Sequence, residues 1–435
     1  MELSPAAGGG SPARENPPAI EYSALVVSPI VNGDARVSVS GSGLMVSALF
    51  ETVEIPFSEI NSIGTADYTI TADTDSGKYS LSRMGNHCRA FHDSLCDAYN
   101  RAVLRSLFIV DKPIITAKGD FAFSEEHTGA SSTAAIHVYS NSAAALPPDL
   151  FARRVPLCFV TGMEKEDFKV TLRLDTNESY SFAKLGYDTS PFADAVEKQI
   201  RKLREESLAA VRDIDNTLTT VQCSQLAKLM PRGAAAPLGL LSGIAPTFIS
   251  ALEEKIAGTR AAEPYKVYKE LSEPSDIWLG FRINESDRPK EENERNSGDG
   301  SGPALFIPGL QLQSQSGGAA TDPYLIWMII PSPDGLSAAV EFAQAGSATF
   351  VFRTGGDFPV FARKLNRALE AIGFKREVIR LSDDELRKPE NADYYMAAKR
   401  TAALQFVRSN FTGRVIHSGV DSWKRKLVEL WDEKK

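Results

Sequence analysis

Glu54-Ile-Pro-Phe-Ser-Glu-Ile60 is answered about a hundred residues later by Arg154-Val-Pro-Leu-Cys-Phe-Val160, and the match continues downstream in step. Pro56 falls on Pro156, Asp67 on Asp167, Thr71 on Thr171 and Asp75 on Asp175. After one inserted residue Tyr79 falls on Tyr180, Ser80 on Ser181, Gly85 on Gly186 and Phe91 on Phe192. A repeat at fixed spacing is read before any single element, because it sets the architecture. Each copy has the same grammar. Tyr68, Ile70 and Ala72 alternate with polar residues, as do Phe168, Val170 and Leu172, which predicts strands with one apolar face. The turn residues Asp73 to Gly77, and Asp175-Thr-Asn-Glu178, close each strand pair as a hairpin. Beyond Gly85 and Gly186 the spacing becomes helical: Phe91, Leu95, Ala98, Ala102, and Phe192, Val196, Ile200, Leu203. Ser190 is the expected N-cap of the second helix, with Pro191 in its first turn.

A more diverged copy lies further on. Val340 and Phe342 alternate, Gln344-Ala-Gly346 turns, and Phe350-Val-Phe-Arg353 returns. Gly355 precedes Phe361 by the same spacing, Asp357 is the expected N-cap, and Phe361, Leu365, Leu369 and Ile372 form the stripe. Between copies two and three, Ile200 to Val221 reads as one long helix, ended by Met230-Pro-Arg-Gly233. A further helix is expected from Phe248-Ile-Ser-Ala-Leu252 to about Glu270. The uncharged run Gly233 to Leu252 is cut by Pro237, Pro246 and glycines, so it reads as a buried turn between helices and not a membrane span. Ile277–Ile283 and Tyr324–Ile330 are strand candidates, separated by a polar, Gly-rich loop over 284–322.

The expected class is therefore α+β. It has three modules of antiparallel sheet plus closing helix, at residues 20–107, 113–205 and 275–380. A disordered tail (1–19), a helical insert (206–270) and C-terminal helices (381–435) complete the chain. In element order the modules resemble the pleckstrin-homology-like fold in its GRAM-type and bacterial variants, and the whole resembles a bacterial family with such modules around a helical middle. That resemblance implies recognition of protein partners or lipid, and such folds seldom carry catalysis.

Composition agrees with a folded chain: 435 residues, 43% hydrophobic and 24% charged. A net charge of −8 lacks the basic excess that draws proteins to nucleic acid, and none is expected as a partner. Cys88, Cys96, Cys158 and Cys223 form no CxxC pair, which fits reduced thiols in a cytoplasm. His87 and His92 flank Cys88 on a helix, a spacing too sparse for a metal expectation. The first residues lack the apolar run of a signal peptide.

Arg212-Asp-Ile-Asp-Asn-Thr-Leu218 resembles the DxDxT signature of haloacid-dehalogenase-type phosphatases. The resemblance implies Asp213 as nucleophile, Asp215 as acid/base, Asp383 or Asp384 as metal ligand, and Mg²⁺ as cofactor. That chemistry needs an apolar strand before Asp213, whereas Lys198 to Glu206 is a charged helix, so the favoured reading is a solvated helix face. Five histidines (87, 92, 127, 137, 417) have no placed nucleophile beside them. Gly239-Leu-Leu-Ser-Gly243 misses the nucleophile-elbow spacing by one residue, and no Walker A or GxGxxG loop occurs. Lipid binding needs clustered cations on an early hairpin, but Arg36 is the only Lys or Arg between Ala19 and Ser76, and Arg153-Arg154 are the only ones between Asp120 and Glu164.

Arg83, Lys184 and Arg353 each precede a module glycine by two residues, and Asp93 and Asp194 follow each Phe by two. Ion pairs Arg83–Asp93 and Lys184–Asp194 are one reading. The favoured one has each Asp complementing its helix dipole and each base reaching solvent; copy three has Arg363 at the Asp position. The segment Asp421 to Trp431 is amphipathic, with Lys424, Arg425 and Lys426 beside two tryptophans; docking on a partner or an anionic surface is one reading, and the favoured one packs Trp423, Leu427 and Trp431 back on this protein. The function read from all this is a non-catalytic interaction or scaffold protein without a cofactor, taking a protein partner or a second copy. A membrane surface is the less favoured partner.

Overall fold

The computed structural model describes residues 20–125, 128–283, 324–343 and 348–432. Its first sheet comprises β1 (Tyr22–Val27), β2 (Asn32–Val39), β3 (Gly43–Ser47), β4 (Thr52–Pro56), β5 (Ile60–Ala66), β6 (Thr69–Thr74) and β7 (Gly77–Ser82), and helix α1 (Cys88–Ser106) follows. The antiparallel order is β4-β3-β2-β1-β7-β6-β5. Val26, Val37, Val46, Ile70 and Leu81 are buried on the inner face, where the period of two puts them. Phe91 of α1 seals that face with Tyr22, ring centroids 5.4 Å apart.

The second sheet repeats the plan with β8 (Ile115–Glu125), β9 (Thr128–Val138), β10 (Ser142–Leu146), β11 (Arg153–Pro156), β12 (Val160–Glu166), β13 (Lys169–Leu174) and β14 (Ser179–Ala183) before α2 (Thr189–Ile214). Its order, β11-β10-β9-β8-β14-β13-β12, is the same permutation. The copies agree in backbone detail. Phe57 N–H donates to Ser42 C=O, and Leu157 N–H to Asn141 C=O. Asp75 N–H donates to Glu59 C=O, and Asp175 N–H to Phe159 C=O. Both copies shift register at one place, Ile60/Ser62 and Val160/Gly162. Gly85, Gly186 and Gly355 all take left-handed φ, between 55° and 70°, where the chain leaves the sheet for its helix. Phe91, Phe192 and Phe361 are at most 1% exposed, each against an aromatic ring of its own sheet: Tyr22, Phe182 and Phe352. Each such side chain contributes about 1.5–3 kcal/mol of burial.

Three local expectations need correction. Tyr68 and Phe168 face solvent at 78% and 72%: they stand in the tight turns and not in the apolar stripe. Asp188, not Ser190, is the N-cap of α2, and Ser190 lies in its first turn. The long helix does not reach Val221. It stops at Ile214, because Asp215 turns extended and its carboxylate takes the Thr217 N–H and hydroxyl.

The insert continues with α3 (Thr220–Leu229), opened by a reciprocal Thr219/Gln222 cap, then β15 (Ala236–Pro237), α4 (Leu238–Ile244), α5 (Pro246–Ala257) and α6 (Ala262–Leu271). The run expected as one buried turn thus holds a short strand and a helix as well. No described helix is long and apolar enough to cross a membrane.

The third sheet has β16 (Trp278–Ile283), β17 (Tyr324–Pro331), β18 (Ser337–Phe342) and β19 (Ala348–Arg353), then α7 (Phe358–Ala371). As expected, the Asp357 carboxylate caps α7, accepting from Val360 N–H at 3.0 Å. After it come α8 (Glu377–Arg380), α9 (Asp383–Leu386), α10 (Ala392–Arg400), α11 (Ala402–Asn410), β20 (Phe411–Ile416) and α12 (Val420–Asp432). The order β15-β16-β17-β18-β19-β20 differs from the first two sheets, and its sixth strand comes from a segment expected to be helical. Ile326, Met328 and Ile330 join the core of the insert and α12, while Trp327 faces the opposite side, against Phe342 and Phe374. Burial on both faces explains the unbroken apolar run of β17. Trp423, Leu427 and Trp431 are buried, and Trp423 Nε1 donates to Thr349 Oγ1 at 2.9 Å. The tail 1–19, His127, the loop 284–322 and the turn Gln344–Gly346 lie outside the described residues.

Contacts divide the chain into two compact units. One holds the first sheet and α1 with residues 146–152 and 383–400; the other holds the second and third sheets, the insert and 401 onward. In the first unit Arg400, 1% exposed, donates to Tyr99 Oη and to Ile60 C=O, which fastens α10 beside α1.

Candidate functional site

Within the second unit a cleft of about 710 Å³ opens where the β13–β14 turn, the segment 231–240, the turn before β16, the β17–β18 turn and the start of α7 meet. Local sequence dictates each wall. Gly233 takes φ +78°, and a Cβ there would sit 1.5 Å from the Phe281 carbonyl oxygen, so only glycine lets this segment cross β16. Beyond it Asn366 of α7 clamps Ala235 through two bonds of 2.9 Å, one to its N–H and one to its C=O. Trp278 and Phe358 meet edge to face at 6.1 Å on the inner wall. Pro231, Pro237, Pro331, Pro333 and Pro359 stiffen the rim, and Leu240 leaves 56% of its surface open there.

Among the described residues of this lining, four carboxylates (Asp175, Glu273, Asp276, Asp334) stand with one guanidinium (Arg363). Asp334 shapes its own turn, accepting from Ser332 Oγ and Leu336 N–H. Glu273 and Asp276 have no basic partner among the described residues. Asp175 keeps contact with solvent, yet burial among its neighbours pushes its carboxyl above the usual range against the pull of Arg367 and Arg363.

Behind the cleft lies a buried charged layer. The Arg367 guanidinium meets Glu178 and Tyr180 Oη, and burial pulls it down to about 10, still cationic at neutral pH. Glu125 accepts from Tyr180 Oη at 2.6 Å and from Arg153 Nε at 3.0 Å. Glu370 takes Arg282 at 2.7 Å and Arg232 at 3.7 Å. Burial raises the Cys158 thiol far out of the reactive range. Among the described residues the lining holds two serines, Ser272 and Ser332, and neither histidine nor cysteine. Its chemistry is apolar contact plus attraction for a cation.

No protein-family model matches the chain, and no curated protein matches it either.

The residues singled out from sequence are dispersed. Asp213 is an exposed helical residue that accepts from Tyr324 Oη, and Asp215 is the C-cap beside it. Neither stands at a strand end. Asp383 and Asp384 belong to the first turn of α9, in the other unit. Arg153 is buried on Glu125 and stacked over Phe123, while Arg154 donates to Ala371 C=O at 2.8 Å, so both guanidinia serve internal contacts. His92 lies 3.5 Å from Cys96 Sγ, Cys88 is buried, and no group of three or more metal-ligating residues occurs among the described residues. The two proposed ion pairs do not form. Lys184 takes Asp120 at 2.7 Å, Asp194 takes Lys165, and Asp93 takes Arg89 and His92. Lys184 and Arg83 both hold left-handed φ, two residues before the glycine that opens the way into the helix.

Sequence reasoning missed the cleft itself. Two signals pointed to it: the pairing of Asp175 with Asp75 in the repeat, and the density of proline from 231 to 237 and from 331 to 333.

Proposed function

We propose that the chain is a non-catalytic interaction protein whose second unit receives a segment of a protein partner in the cleft walled by Asp175, Trp278 and Leu240. The cleft carries this reading: it is open, aromatic at its inner wall and negative at its rim, and its volume falls in the range of binding sites, about 300–1,000 Å³. The duplicated strand order with a closing helix supports the resemblance to pleckstrin-homology-like modules, which seldom catalyse. Four cysteines outside any disulfide accord with a reducing cytoplasm. The engagement of Arg153 and Arg154 inside the protein weighs against an anionic lipid partner.

A photo-crosslinking residue at position 240 tests the reading in source cells, with Val221, at least as exposed, as control position. A discrete protein adduct at 240 and none at 221 is expected. Equal labelling at both positions overturns the cleft as docking site. A phosphomonoesterase activity of the purified chain that Asp213→Asn abolishes overturns the non-catalytic part.

A further inference from the structure

We infer that the cleft takes a lysine-bearing helical segment of a different protein, its ammonium seated on Asp175; this rests on the cleft being a docking site. The molecule contains its own precedent. Asp75 and Asp175 hold the same backbone position in the two copies, each N–H bonded to the carbonyl of the residue sixteen before it, Glu59 or Phe159. In the first unit the Asp75 carboxylate is fully used. Lys399 Nζ lies 2.9 and 3.0 Å from its two oxygens and 3.2 Å from Ser58 C=O. Tyr395 Oη adds a bond of 2.8 Å from one turn earlier on α10. A helix with Tyr and Lys four residues apart is thus the ligand that this hairpin turn selects inside the chain.

At Asp175 the same acceptor stands at an open wall. Among the described residues no side chain donates to it; only backbone N–H groups of its own turn do. Arg367 and Arg363 act on it only through their charge, and the Arg367 guanidinium is turned to Glu178 and Tyr180. Glu273 and Asp276 extend the negative wall, so an incoming cation meets complementary charge. Leu240, largely exposed, supplies the apolar surface that an aromatic neighbour of the lysine would cover, above the mostly buried Trp278 and Phe358. A second copy cannot offer α10 for this purpose, because Met396, Ala397 and Arg400 are buried within their own unit. The occupant is therefore a foreign segment of like chemistry.

The probe is a fluorescein-labelled peptide of residues 389–401, Pro-Glu-Asn-Ala-Asp-Tyr-Tyr-Met-Ala-Ala-Lys-Arg-Thr, titrated into the full chain and followed by anisotropy. Saturable binding is expected, weakened at least tenfold by Asp175→Asn in the protein or by Lys399→Ala in the peptide, and unchanged by Asp75→Asn. Unaltered tryptophan emission of the Asp175→Asn chain shows that its second unit is folded. Binding that survives Asp175→Asn, or that is lost with Asp75→Asn because the peptide has exchanged into the first unit, overturns the inference. Dimerisation of the chain alone that depends on Asp175 overturns it in favour of a second copy. A crosslink at position 240 without peptide binding sinks the lysine-helix assignment alone; no crosslink sinks the docking reading beneath it.

Discussion

Asp75 and Asp175 are one residue written twice, and their surroundings drive them in opposite directions. Burial would raise the Asp75 carboxyl, but Lys399, Tyr395 and Asn61 all bond to it, and together they hold it below the ordinary range. Burial also raises Asp175, and there no side-chain bond reverses it; Arg367 and Arg363 act only from a distance. The lesson is that duplicated backbone geometry fixes where a carboxylate points, while the segment that arrives later fixes its chemistry. One copy closes its turn with a helix from the same chain, and the other leaves it facing a cleft.

The comparison breaks first at the core if it is wrong. Phe91→Ala and Phe192→Ala should each cost about 3–5 kcal/mol, since both rings are buried under equivalent helices. All four tryptophans (278, 327, 423, 431) belong to the second unit. Urea melts by tryptophan emission therefore read Phe192→Ala, and hydrogen exchange of β5 to β7 reads Phe91→Ala. A loss in one copy only would mean that the copies share strand order without sharing a packing plan. Next in size, Asp75→Asn should destabilise the first unit by about 2 kcal/mol at neutral pH, the worth of charge-assisted bonds left unmade. Exchange protection of α10 is the readout. Because the folded Asp75 carboxyl lies below its unfolded value, this contribution is present above the unfolded pKa and fades as pH falls through the folded one.

The smallest effect has the opposite sign and sharpens the contrast most. Asp175 has a raised folded pKa, so its ionised form costs stability at neutral pH, and that cost disappears as pH falls below its unfolded value. Asp175→Asn should accordingly leave the second unit equally or slightly more stable at pH 7, with no difference at low pH, as followed by tryptophan emission. A clear loss of stability at pH 7 would show that Arg367 and Arg363 depend on this carboxylate structurally.

Much of the architecture was legible because it rests on short-range periodicity. Alternation placed Ile70 and Leu81, helical spacing placed Leu95, Val196 and Leu365, and the three glycines marked each turn into a helix. The failures were equally physical. Tyr68 and Phe168 fitted an alternating pattern but sit where the backbone must turn, and Asp215 ended a helix because its carboxylate prefers the Thr217 amide. β20 was invisible: of its six residues only Val415 is buried, and it is a strand because β19 offers a free edge. The cleft was invisible for a related reason, since Trp278, Asp175 and Phe358 converge from three elements that read separately as core strand, turn and helix.

Chain-local patterns were enough for the duplicated hairpins, the closing helices and the apolar stripes, because each depends on neighbours two to four positions away. Which carboxylate meets a cation could not be read that way. Lys399 reaches Asp75 across 324 positions, and a lysine on a helix carries the same letters whether it faces water or an acceptor. Only the packed arrangement, which sets distance and solvent access together, separates a satisfied turn from one still open to a partner.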